Sequence, residues 1–212
     1  MTTTIIFDAF GTLLEIKNRR SPYLKILREG RRQGRRPQAD DSYQLMTQSL
    51  GLQEAADYFG IELSPELLQH AERSLEEELA NISAFPDALE AVALLQGAGL
   101  RLGVCSNLAQ PYGSSIRHLF PDLDAYGFSF EIGFVKPEPM IYQATCALLG
   151  VQPNCGLGGQ DRVVMIGDSQ RCDRDGPRAV GIMGFHLQGS GHQGITNLVD
   201  FAHSVLAETT SI

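Results

Sequence analysis

The sequence predicts an α/β protein: a parallel, doubly wound sheet with an all-helical segment inserted near its start. Three observations predict it. Short apolar runs alternate with amphipathic stretches of helical length from Phe85 onward, the pattern of strand–helix–strand units. Each of the strongest runs ends in a polar residue rather than continuing. Residues 15–84 carry helical periodicity throughout, with no strand pattern to interrupt it. The core is therefore assigned to 1–14 and 85–212, and the helical insertion to 15–84.

The first strand is the β-branched run Thr3-Thr4-Ile5-Ile6-Phe7, closed by Asp8 and followed by Gly11. In the insertion, Ser21-Pro22 can start a helix carrying Tyr23, Leu24, Ile26 and Leu27, since proline suits a first helical position. Two further helices are expected over Asp41–Leu50 and Leu52–Phe59, punctuated by Gly51 and Gly60. A fourth starts at Ser64-Pro65-Glu66 and runs toward Ala80. Pro86 to Gln96 then forms a helix with Ala88, Leu89, Val92 and Leu95 on one face, stopped by Gly97 and Gly99. A strand over Leu100–Cys105, a helix over Pro111–Phe120 and a short strand over Tyr126–Phe130 follow. The chain continues with a helix over Pro137–Leu149 and a strand over Val163–Ile166. Asp173–Val180 reads as helix, Gly181–His186 as strand and Ile195–Ala207 as a closing helix.

Size and composition fit one core domain with room for an insertion. The chain has 212 residues, 43% hydrophobic and 20% charged, as expected of a soluble globular protein. No run approaches the roughly 20 apolar residues that span a bilayer, and the first residues lack the basic and apolar regions of a signal peptide. Cys105, Cys146, Cys155 and Cys172 show no paired metal spacing. Reduced thiols and a cytoplasmic location are the expectation. The five histidines (His70, His118, His186, His192 and His203) are scattered without ligand spacing. His186 ends a strand near the expected mouth of the site and reads as structural.

The net charge is −8, yet residues 15–36 alone carry +7 and the remainder −15. Lys17, Arg19, Arg20, Lys25, Arg28, Arg31, Arg32, Arg35 and Arg36 face only Glu15 and Glu29 in that stretch. A solvated helix face accounts for it. An electropositive rim that draws anionic substrates is the alternative. Without interleaved aromatics there is no nucleic-acid-binding pattern, so the partner expected is a small anionic substrate, with neither nucleic acid nor membrane.

The chemistry-bearing residues fall at strand and helix ends. In parallel sheets ligands sit outside the carboxyl ends of the strands, which is where Asp8 lands. Leu100–Cys105 delivers Ser106 and Asn107, Lys136 precedes a proline-started helix, and Val163–Ile166 delivers Gly167-Asp168, with Asp173 five residues on. Carboxylate, hydroxyl, lysine and a carboxylate pair in this order resemble the four motifs of the haloacid dehalogenase-like hydrolase superfamily. The resemblance implies a Rossmann-like core with a helical cap inserted just after the first motif. It also implies that Asp8 is a covalent nucleophile, splitting hydrolysis into two displacements, and that Lys136 and Asp173 complete the catalytic set. Phe10, Gly11, Thr12, Ser106, Asn107 and Lys136 would surround the substrate. Mg²⁺ would be held by Asp8, the Phe10 carbonyl and Asp168, an open site of the kind Mg²⁺ prefers. Asp173 can instead cap the helix it precedes.

Two departures pull in opposite directions. The superfamily's phosphatases carry Asp-x-Asp in the first motif, and the second Asp is the general acid and base. Here that position is Phe10, which resembles the 2-haloacid dehalogenase branch, where halide leaves without a proton. The dehalogenases carry a Ser-Asn type sequence in the fourth motif, whereas this chain keeps Gly167-Asp168-Ser169. Three readings stand: a Mg²⁺-dependent phosphatase of small metabolites favouring good leaving groups, a 2-haloacid dehalogenase, and a nearly inactive phospho-ligand-binding or interaction protein. A dehalogenase would want an arginine near the cap, from Arg19, Arg20, Arg35 or Arg36.

Overall fold

The structure is a computed structural model describing residues 2–155, 161–189 and 194–210. Seven strands and ten α-helices are found among them: β1 (Thr3–Phe7), β2 (Leu14–Ile16), α1 (Pro22–Arg32), α2 (Asp41–Thr47), α3 (Leu52–Tyr58), α4 (Pro65–Ala80), β3 (Ile82–Ala84), α5 (Pro86–Gly97), β4 (Arg101–Ser106), α6 (Tyr112–Leu119), β5 (Ala125–Phe128), α7 (Ser129–Ile132), α8 (Pro139–Leu148), β6 (Arg162–Gly167), α9 (Gly176–Ala179), β7 (Met183–His186) and α10 (Leu198–Thr210). A π-helical turn, Gln170–Asp175, precedes α9.

Five strands make a parallel sheet in the order β5-β4-β1-β6-β7. The chain leaves β1 for β4 and β5 on one side, then returns to β6 and β7 on the other. The order reverses between β1 and β6, and open α/β sheets bind ligands in the crevice at such a switch point. Alternate strand residues serve opposite faces. Ile5, Phe7, Leu102, Val104, Val164 and Ile166 pack with residues of α5, α6 and α10, while Ile6, Cys105, Val163 and Met165 pack with Ile141, Tyr142 and Cys146 of α8. Both faces are covered, which is why these strands read as continuous apolar runs. The Rossmann-like α/β expectation is met.

The helices begin where the sequence marks them. Pro22, Pro65, Pro86 and Pro139 each stand at a helix start, and the Ser64 hydroxyl accepts the Leu67 N–H at 3.3 Å. Helices α1–α4 carry their own apolar cluster of Tyr23, Ile26, Leu45, Leu52, Ala55, Ala56, Ile61 and Ala71. Four of the nine basic residues in this stretch are paired: Lys17 with Glu15, Arg20 with Glu77, Arg32 with Glu29 and Arg35 with Asp41.

The expected absence of strands between residues 15 and 84 is corrected. β2 and β3 pair antiparallel, Leu14 opposite Ala84 and Ile16 opposite Ile82, and form a ribbon joining the helical stretch to the sheet. Three residues are too few for alternation to register in a sequence. The strand expected over Tyr126–Phe130 ends at Phe128, where α7 takes over. No helix among the described residues is long and apolar enough to cross a membrane. None of the four cysteines is in a disulfide. His192 lies outside the described residues.

Candidate active site

The ends of β1 and β6 bring two carboxylates to the switch point. β1 pairs in register with β6, and the Asp8 N–H donates to the Ile166 carbonyl at 2.9 Å. This bond carries the ladder one residue past β1 and fixes Asp8 beside Gly167 and Asp168. Gly167 is required by the crowding there. A side chain on it would run into the Asp173 carboxylate and come within 2.7 Å of the Asp8 Cβ. Gly11 turns the chain back at φ +92°, and a Cβ on it would collide with the Asp168 carboxylate. Gly11→Ala should therefore cost about 1–3 kcal/mol of backbone strain and displace Asp168. The check is a lowered melting temperature, and a variant that melts with wild type would contradict it.

Lys136 is the hub. Its ammonium donates to Asp8 Oδ1 at 2.6 Å and to Asp173 Oδ1 at 2.7 Å, and all three residues are buried. Burial alone would pull the lysine pKa down, but the charges of Asp8 and Asp173 outweigh it and hold the ammonium above its ordinary range. Asp173 Oδ2 accepts the Ser169 N–H at 2.9 Å, so this carboxylate both orients Lys136 and closes the π-helical turn. The sequence expectation of a helix beginning at Asp173 is corrected, since Asp173 lies inside that turn. π-helical turns recur at functional sites. The Ser169 hydroxyl accepts the Cys172 N–H, and Tyr142 donates to the Cys172 carbonyl at 2.6 Å, which ties the turn to α8.

Asp168 is exposed, unlike Asp8 and Asp173. Partial withdrawal from water and the Asp8 charge raise its pKa, and burial raises that of Asp173. Asp8, Asp168 and Asp173 each offer an oxygen within 4.8 Å of the others. Three carboxylates around one ammonium leave an excess of negative charge. The donors are all hard oxygens, the set that suits Mg²⁺. Both Asp173 oxygens are already engaged, so Asp8 and Asp168 are the residues that could hold the ion. The expected metal carboxylates thus fit such a cation.

The remaining expected residues divide. Ser106 is buried at the end of β4. The Asn107 amide clamps Lys136 from both sides, donating to its carbonyl at 3.0 Å and accepting its N–H at 2.7 Å. Its side chain therefore ties the loop after β4 to the Lys136 backbone. Thr12 is likewise turned inward, its hydroxyl accepting the Asp168 N–H at 3.1 Å. Phe10 stands two residues beyond Asp8, its ring meeting Tyr112 edge-on at 6.0 Å. His186 Nε2 lies 3.0 Å from the Asp168 carbonyl.

A cavity of about 350 Å³ opens beside Phe10, lined by residues of the helical stretch and of the core, among them Arg19, Glu78 and Tyr112. Of the candidate arginines, Arg19 lines it. Arg35 is paired with Asp41 beneath the Phe59 ring, Arg20 with Glu77, and Arg36 is exposed. Tyr23 lines it too, while Tyr43 reaches the Gly133 carbonyl at 3.5 Å. Glu78 and Tyr112 are cavity residues that sequence reasoning missed. Nothing local marks a glutamate inside an acidic helical run as buried.

An Asp8–Lys136–Asp173 triad at the switch point of a parallel sheet, with a further carboxylate at its mouth, defines a hydrolase site of the class the four motifs resemble. The sequence profile of the haloacid dehalogenase-like hydrolases matches residues 2–181, and the chain belongs to that family. Over 177 residues it is 28% identical to (S)-2-haloacid dehalogenase 4A of Burkholderia cepacia, covering 70% of each chain. Its fold is similar to that of a HAD phosphatase from Thermococcus onnurineus (TM-score 0.64, 23% identity, 97% of this chain and 98% of that one). It is also similar to a HAD family enzyme from Bacteroides thetaiotaomicron solved as a magnesium complex (TM-score 0.60, 16% identity, 91% of this chain and 96% of that one).

Proposed function

We propose that this hydrolase is a Mg²⁺-dependent phosphatase of small phosphorylated metabolites, selective for good leaving groups. The observation that carries the reading is the surplus of carboxylate around Lys136. Asp8, Asp168 and Asp173 converge within 4.8 Å, an arrangement that repels an anionic substrate unless a divalent cation offsets it. Mg²⁺ held by Asp8 and Asp168, with the Phe10 carbonyl, would neutralise phosphate oxygens as charge shifts during transfer. The magnesium complex of the Bacteroides thetaiotaomicron relative supports this.

In this reading Asp8 attacks phosphorus, the ester oxygen leaves with its electron pair, and an aspartyl phosphate forms. Lys136 holds the attacking carboxylate in place and offsets charge on the transferred group, and Asp173 fixes Lys136. Asn107 anchors the lysine's backbone. Buried Ser106, at the end of β4, would supply a hydrogen bond. Water then hydrolyses the intermediate and restores Asp8. Residues 15–84 act as the cap that shields the Asp8 site from bulk solvent during the transfer.

Phe10 sets the limit. It can neither protonate a leaving alkoxide nor take a proton from the attacking water, help worth roughly 10²–10⁴-fold. Acyl and aryl phosphates, whose leaving groups need no proton, should therefore be turned over and alkyl phosphates should be poor. Phe10→Asp should raise kcat/KM for an alkyl phosphate by about 10²-fold. No gain in a folded, Mg²⁺-binding variant would count against the phosphatase. A second reading, 2-haloacid dehalogenase, is favoured by Phe10, by Arg19 in the cavity and by the Burkholderia cepacia relative. It predicts halide release that needs no metal.

A further inference from the structure

Glu78 is a buried carboxylate for which the catalytic account has no use. It lies in the last turn of α4, 4% exposed. Its Oε2 accepts two consecutive backbone donors, the Arg20 and Ser21 N–H groups, both at 2.8 Å. Its Oε1 accepts the Tyr112 hydroxyl at 3.2 Å. Ser21 is the residue at which the backbone is strained: among described non-glycine residues it alone has a positive φ, 51°. Such conformations persist where surrounding contacts impose them, and the Glu78 oxygen is a buried contact made to this residue's N–H.

The three bonds join separate walls of the cavity beside Phe10. The 19–22 turn carries Arg19 and Ser21 to one side, and α6 presents Tyr112 on the other. Tyr112 meets the Phe10 ring edge-on at 6.0 Å and 87°, so the chain of contact runs from Glu78 through Tyr112 to the residue beside Asp8. Burial and the nearby Glu78 charge push the Tyr112 phenol well above its usual range, which keeps it the donor. A carboxylate that only capped α1 would need neither the tyrosine nor the cavity.

We propose that Glu78 is a positioning residue for substrate selection, holding the 19–22 turn and Tyr112 at the spacing that admits a flat aromatic leaving group against Phe10. This rests on the hydrolase reading of the Asp8 site and deepens it. The Phe10 and Tyr112 rings pack edge to face with no gap between them, and both line the cavity, so an incoming ring would lie against the cavity side of this pair. The arginine beside it adds a cation that an aromatic face attracts.

The test compares two non-hydrolysable ligands in the presence of Mg²⁺, phenylphosphonate and methylphosphonate, by calorimetry. Wild type should bind phenylphosphonate about tenfold more tightly, and Glu78→Gln should lower that preference several-fold, since the amide keeps the shape but loses the charge that strengthens all three bonds. The methylphosphonate Kd should move much less. Tyr112→Phe, a milder change, should lower the preference in the same direction and add nothing to Glu78→Gln. Amide exchange at Arg20 and Ser21 should quicken in Glu78→Gln. Both ligands weakening together, an unchanged preference, or unchanged exchange at the turn would each overturn the proposal. Wild type that hydrolyses acetyl phosphate but binds both phosphonates equally overturns this proposal and leaves the phosphatase standing. Wild type that prefers phenylphosphonate but hydrolyses no phosphate ester sinks the phosphatase and leaves Glu78 its role.

Discussion

Asp8→Asn should abolish turnover, by about 10³-fold or more, while leaving the protein folded. In the proposed mechanism the carboxylate is the group that attacks and is later regenerated, and an amide of the same shape would do neither. Little structure depends on that charge alone. The Asp8 backbone N–H still donates to Ile166, and Lys136 keeps Asp173 at 2.7 Å. The variant should melt close to wild type and still bind phosphate ligands. Single-turnover assays check it: residual turnover within tenfold of wild type would remove Asp8 from the centre of the chemistry.

Lys136→Met is the second large effect, and it falls on both activity and stability. The variant leaves Asp8 and Asp173 buried with no countercharge, and breaking a buried pair in this way costs about 3–5 kcal/mol. Transition-state stabilisation is lost as well, about 10²–10³-fold in kcat. The stability defect should depend on pH with a definite sign. Burial already raises the native pKa of Asp173, and removing the lysine takes away the charge that opposes this. The folded variant then binds a proton at Asp173 more tightly than the unfolded chain does. The variant's deficit should grow as pH rises from the ordinary carboxylate range toward the raised native value, and shrink as pH falls back to that range. Melting temperatures of wild type and variant at pH 5 and pH 8 check it. A deficit that is larger at pH 5 would contradict the account.

Much of this site was legible because its residues sit where regular structure ends. Asp8, Ser106 and Asp168 each close or follow an apolar run, and a parallel sheet sends every such end to one edge. Once strand order is fixed, those carboxylates must meet. The helix starts at Pro22, Pro65, Pro86 and Pro139 were legible for a similar reason, since proline carries its conformational preference in the sequence. What escaped depends on partners far along the chain. β2 and β3 are three residues each and pair across 68 positions, Glu15 opposite Ser83. That the Asn107 amide bonds the Lys136 backbone at both of its ends depends on a partner 29 residues away. Glu78 stands among Glu76 and Glu77 with nothing local to tell them apart, and only the fold buries it against Tyr112.

The unequal signals in the first and fourth motifs are reconciled by charge. Phe10 removes a proton-transfer group and a negative charge from beside Asp8, while Asp168 retains one at the mouth. A site so built loses help with poor leaving groups but keeps its capacity for a cation. The proposed narrowing of substrate range toward good leaving groups would follow from that combination.

The measurement that tests the central claim most directly is release of phosphate from an aryl phosphate beside release of halide from L-2-chloropropionate. Each is run with Mg²⁺ and with a chelator, and with Asp8→Asn as control. Phosphate release that requires both Mg²⁺ and Asp8, with no halide release, is the expected result. Halide release that persists in chelator and disappears in Asp8→Asn would contradict the phosphatase and make this chain a dehalogenase.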